Sequence, residues 1–144
     1  MSKFYQGKYK PNNPQKYKGD LNNIIYRSGW ELKFFRWCDT NPNVIKWAAE
    51  ETIIPYINEI DQSKHRYFVD AYIEYRDKQG QIQKKLIEIK PYKQTQPPSK
   101  RSKRYREEMI TYITNQSKWK YAKKFAERRG IGFMILTERQ LGIK

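Results

Sequence analysis

Two strand-like runs joined by a short turn constrain this chain more than any other feature. "FVDAYIEYR" (68–76) and "IQKKLIEIK" (82–90) flank "DKQGQ". Side chains alternate across a strand. Val69, Ala71 and Ile73 therefore face one way, and Phe68, Asp70 and Tyr72 the other. In the second run Ile87 and Ile89 share one face, and Leu86, Glu88 and Lys90 the opposite one. A three-residue loop, Lys78-Gln79-Gly80 with Gly80 left-handed, is a common hairpin type. It pairs Asp77 with Gln81, which sets Asp70 beside Glu88 and Phe68 opposite Lys90. Two acids and a lysine then share one face of an otherwise apolar ribbon.

Like charges directly opposite on a sheet are destabilising. A divalent cation reverses the sign of that interaction, because Mg²⁺ takes carboxylate oxygens and retains waters. A lysine beside the metal can hold or deprotonate a water, and partial burial lowers its pKa. Two acids, a lysine and a metal beside a phosphodiester make a hydrolytic site.

Composition fits that chemistry. The 144 residues are the size of one domain. Thirty Lys and Arg against fifteen Asp and Glu leave +15, which favours a polyanion as partner. The 38% hydrophobic content argues against a wholly disordered basic protein. Cys38 is the single cysteine, so no internal disulfide forms and it reads as a buried apolar residue. No apolar run approaches the ~18 residues of a membrane span. The start lacks the apolar core of a signal peptide.

Along the chain, residues 1–23 read as a basic, extended arm and 24–144 as a single domain. Ser28 is placed to cap a helix, with Glu31 at the N3 position of a capping box. Trp30, Phe34, Trp37 and Cys38 then follow at helical spacing, and Asn41-Pro42 stops the helix. Strands are predicted over about 51–57, 65–76 and 81–91, helices over about 103–115 and 118–129, and a buried last strand in "IGFMILT". Gly130 caps the second of those helices. The order gives a mixed α/β sheet with helices on its faces.

Asp70 on one strand with Glu88-Ile89-Lys90 on the next resembles the PD-(D/E)XK nuclease superfamily; Val69 stands where a proline often precedes the acid. "YRSGWELKFFRWCDTNPNVIKWAAEETIIPY", "HRYFVD" and "LIEIKPYKQTQPP" resemble, more closely, the head-completion nucleases of T4-like phages. They also resemble, more distantly, the endonuclease subunits of Tn7-type transposases. The resemblance implies a restriction-endonuclease-like fold and DNA hydrolysis with Mg²⁺ or Mn²⁺. It implies Asp70, Glu88 and the Ile89 carbonyl as metal ligands, Lys90 as the water-positioning group, and Glu31 as a further acid. Glu50, Glu51 and Gln96 are secondary candidates. It places the protein in the host cytoplasm during phage assembly, and in the virion, among head, portal or neck proteins.

Lys100, Arg101, Lys103, Arg104 and Arg106 follow the proposed catalytic strand with no acid among them. Phosphate contacts by such residues supply affinity without reading sequence. Lys118, Lys120, Lys123, Lys124, Arg128 and Arg129 form a second basic set. Two other readings stay open: a DNA-binding or connector protein that keeps the fold without catalysis, and a transposase-type endonuclease subunit.

Overall fold

In the computed structural model, which describes residues 6–143, a four-stranded mixed sheet runs β3-β6-β7-β8. It comprises β3 (Val44–Ala49), β6 (Ala71–Arg76), β7 (Ile82–Ile89) and β8 (Gly132–Leu136). The predicted hairpin forms in the predicted register, with Ala71 opposite Ile87 and Arg76 opposite Ile82. Gly80 takes φ 79° and the Asp77 N–H donates to the Gln81 carbonyl at 2.9 Å. β8 joins β7 in parallel.

The strand expected over 65–76 is two strands. β5 (Ser63–Phe68) pairs only with β4 (Ile53–Asn58) in a separate two-stranded ribbon, and the chain breaks direction at Val69-Asp70 before β6. Phe68 therefore lies opposite Ile53 rather than Lys90. The break arises because Val69 N–H is taken by the Thr52 carbonyl and the Asp70 carbonyl by Glu50 N–H, across from the turn between β3 and β4. β3, over residues for which no strand was predicted, is an edge strand of the sheet. β8 is the other edge, so its residues are half-buried rather than buried, and Met134 is exposed.

Helices cover both faces. α1 (Gly29–Thr40) packs with Phe35 and Cys38 against Trp47, Ala71, Ile87 and Ile89. Trp37, expected inward, is exposed and stacks on Phe34. α2 (Tyr105–Arg128) is one continuous helix where two were expected. Asn115-Gln116-Ser117 holds no proline or glycine to break it. Asn115 and Ser117 are buried, and Ser117 Oγ bonds the Ile113 carbonyl one turn back. Its Trp119, Ala122 and Ala126 pack on Ile54, Tyr67, Val69 and Leu86. A short α3 (Glu138–Leu141) follows β8 behind a Thr137 capping box.

The described part of the expected arm lies on the domain. β1 (Gly7–Lys8) pairs with β2 (Ile25–Tyr26), and Tyr9 and Tyr17 enter the α1-side core around Trp47. Asp39, fully buried at the end of α1, accepts from Tyr9 Oη and the Asn12 backbone N–H at 2.7 Å, and from the Asn13 N–H at 2.9 Å. Burial pushes its carboxyl up, but these donors outweigh burial and hold it below the usual carboxylate range.

Candidate active site

Asp70 and Glu88 meet where β6 begins and β7 ends. Asp70 sits at the kink, and its Oδ2 accepts the Ile89 N–H at 2.7 Å. Glu88 is 4% exposed and its Oε2 accepts Trp119 Nε1–H at 2.9 Å. The two carboxyls lie near enough for the charge of Glu88 to act on Asp70. Desolvation first, and then the Glu88 charge, raise the Asp70 carboxyl well above its ordinary value. Burial and the neighbouring charge therefore disfavour ionised Asp70 when nothing else neutralises it.

Other charged groups border the pair. Glu31 stands in the first turn of α1. Its backbone N–H donates to Ser28 Oγ at 3.1 Å, and its carboxylate accepts the Arg27 N–H at 3.3 Å. Burial, ahead of the nearby Glu50, raises the Glu31 carboxyl from its ordinary value. Its charge acts on Asp70, so the predicted capping position and the site coincide. Glu50, at φ 54°, is held by Arg27 through contacts of 2.6 and 3.0 Å. Glu51 is exposed and lines a cleft of about 1020 Å³ shared with Tyr72, Lys85, Leu86 and Phe125. Lys90 follows β7 and is half-buried, with its backbone N–H on the Leu136 carbonyl at 3.0 Å. Strand alternation directs it to the same side as Glu88.

Among the described residues no three acidic, histidine or cysteine side chains converge tightly enough to enclose a metal by themselves. Asp70 and Glu88 form a pair, with Glu31 and Glu50 further back.

Gln96 is exposed after a 3₁₀ turn, Tyr92–Thr95, with its amide on Thr95 Oγ1. Lys100, Arg101, Lys103 and Arg104 are exposed in the loop before α2 rather than on it, and Arg106 in its first turn. Glu107 and Glu108 meet the helix dipole there, and Glu107 pairs with Arg104 at 2.6 Å. His65 bonds Asp61 at 2.7 Å, away from the acids.

Sequence reasoning missed three neighbours of the pair. Trp119 read as core only, although an indole N–H that is buried needs an acceptor. Tyr67 read as an ordinary strand residue. Arg27 carried no pattern; its partner Glu50 is 23 residues away.

Residues 41–138 match the family of TnsA-like endonuclease N-terminal domains, and the chain belongs to that family. The matched stretch holds Asp70, Glu88 and Lys90, and Glu31 lies outside it. The chain is also 46% identical, over 97% of its own length and 97% of its relative's, to the head completion nuclease of enterobacteria phage T4. No solved structure gives a significant match.

Proposed function

We propose that this protein is a metal-dependent deoxyribonuclease of phage head completion, with Asp70 and Glu88 as its cation-binding pair. The observation that carries the reading is the buried contact between those two carboxyls. Like charges there oppose folding unless a proton or a cation lies between them. The donor set fits a hard cation: carboxylate oxygens with the Ile89 carbonyl at hand, and Mg²⁺ needs only one or two carboxylates beside waters. A bound Mg²⁺ or Mn²⁺ supplies Lewis acidity and an acidified water.

The chain's own residues do the rest. Asp70 and Glu88 would offer carboxylate oxygens to the cation. Lys90 orients the attacking water and places its positive charge beside the oxygens where negative charge builds up in the transition state. Glu31 orders water at the rim of the pair, and Arg27 keeps Glu50 turned aside. Gln96, in the loop after β7, is placed to contact a phosphate or a metal-bound water. Lys100, Arg101, Lys103, Arg104 and Arg106 hold DNA phosphates. The family match and the relative's name support DNA cleavage during head completion, in the cytoplasm of the infected host, with head or neck proteins nearby. No described helix is long and apolar enough to cross a membrane.

Incubating plasmid DNA with the purified protein in Mg²⁺, in Mn²⁺ and in EDTA tests the reading. Nicking or linearisation is expected with either metal and none in EDTA. Equal cutting in EDTA refutes it.

A further inference from the structure

The cleft of about 1020 Å³ that Glu51 borders has no part in the chemistry assigned to the acids. Its floor is one cross-strand row of the four-stranded sheet. Ala48 of β3 lies opposite Tyr72 of β6, and Tyr72 opposite Leu86 of β7. Leu86 belongs to the core that α2 covers, so the row lies on the α2 side. Phe125 of α2 and Arg129, the residue that caps it, form one wall. Lys18 and Lys84 also line the cleft, and both are exposed.

The charge there is unbalanced. Glu51 is the one acid among the lining residues. Ion pairs among the described residues join Arg27 to Glu50, His65 to Asp61 and Arg104 to Glu107, so Lys18, Lys84 and Arg129 are paired with no acid. Cations gathered in a concave site attract an anion. The aromatic rings add a second feature. The Arg129 guanidinium carbon stands 3.5 Å from the Phe125 ring centroid, and the Lys18 ammonium 5.5 Å from that of Tyr72. A guanidinium held on a ring is a platform against which a nucleobase stacks. The cleft also adjoins the acids. Leu86 and Glu88 share one face of β7, two residues or about 7 Å apart.

We propose that this cleft binds single-stranded DNA, with phosphates on Lys18 and Lys84 and a base stacked against Arg129 and Phe125. Bases in a duplex already stack on one another and offer only their edges in the grooves. Cations that track a backbone beside a stacking platform suit a strand whose bases are free. The substrate class is then DNA in which a single strand adjoins a duplex, with the single strand led to the acids along the floor of the cleft. The role in cutting rests on the nuclease reading; the binding does not.

The test is fluorescence anisotropy of labelled oligothymidine, and of a duplex of equal length, with the full chain in EDTA. The parent should bind oligothymidine. Lys18→Gln with Lys84→Gln should flatten the salt dependence of that binding by roughly 1.4, at ~0.7 per lost phosphate contact on a single strand, and leave the duplex slope unchanged. Arg129→Lys keeps the charge and loses the planar stack. It should hold the salt slope and weaken oligothymidine binding by about 5- to 150-fold, the range of one base stack. All three positions are exposed, so circular dichroism should show the parent's fold in each variant. A parent that does not bind oligothymidine, variants that bind it as the parent does, or an equal loss on the duplex overturns the assignment. Plasmid cleavage in Mg²⁺ is scored beside it. A parent that binds oligothymidine through these residues and cuts nothing keeps the cleft and refutes the nuclease reading. A parent that cuts plasmid while the variants bind oligothymidine unchanged refutes the cleft alone.

Discussion

Replacing Asp70 by Asn should stabilise the metal-free protein, because it removes one of two acids forced into contact. Asn keeps the shape. Its carbonyl oxygen can go on accepting the Ile89 N–H now received at 2.7 Å, and its amide carries no charge to oppose Glu88. Two unit charges ~4 Å apart at an effective dielectric of ~20 repel by about 4 kcal/mol. Burial already favours protonated Asp70, which relieves part of this, so a gain of about 1–3 kcal/mol is expected, or roughly 3–9 °C at ~3 °C per kcal/mol for a chain of this size. The gain depends on pH with a definite sign. Asp70 is raised in the fold, so its favourable contribution is present below the unfolded carboxylate value and is lost as pH rises through the folded one. The variant's advantage should therefore grow from pH 5 to pH 8 in EDTA, and shrink or reverse when Mg²⁺ is added to both proteins. Melting followed by circular dichroism reads all three trends. A lower melting temperature than the parent at pH 8 in EDTA would refute the reasoning and point to a structural role for the Asp70 charge.

At the other end of α1 the sign reverses. Asp39→Asn removes a charge that accepts three donors, and should cost about 3 kcal/mol in urea unfolding, with a shallower loss of stability below about pH 4. A change below about 0.5 kcal/mol would mean that the N-terminal segment is not clamped there. Changing Lys100, Arg101, Lys103, Arg104 and Arg106 together to Gln should weaken DNA binding at every sequence tested. It should also flatten the salt dependence by roughly 0.9 per lost phosphate contact, read in metal-free buffer. An unchanged slope would move the DNA path to Lys118–Arg129.

The site's central pair was legible because hairpin arithmetic is local. Once Gly80 fixes the turn, every partner from Asp77/Gln81 to Ala71/Ile87 follows by counting. What the sequence hid depends on contacts between distant segments. The break at Val69-Asp70 is imposed by Thr52 and Glu50, which no pattern within 65–76 reveals. Helix propensity over Asn115-Gln116-Ser117 looked like a boundary, yet burial of Asn115 and Ser117 carries α2 through it. The polar, proline-bearing start looked detached because its anchor, Asp39, lies 26 to 30 residues away. Glu31 had two local roles available, helix cap and site acid, and the fold lets it serve the first while standing beside the second. Trp119 reaches Glu88 only through packing of α2 on one face of the sheet.

The central claim is that Asp70, Glu88 and Lys90 act as one hydrolytic unit. Its most direct test is plasmid cleavage in Mg²⁺ by Asp70→Ala, Glu88→Ala and Lys90→Ala beside the parent, with circular dichroism and metal-free DNA affinity confirming that each variant is folded and still binds. Each variant should lose cleavage by at least about 10²-fold, the scale of a general acid–base contribution. A folded variant that cuts at the parent's rate would remove its residue from the unit, and parental cutting by both carboxylate variants would contradict the account.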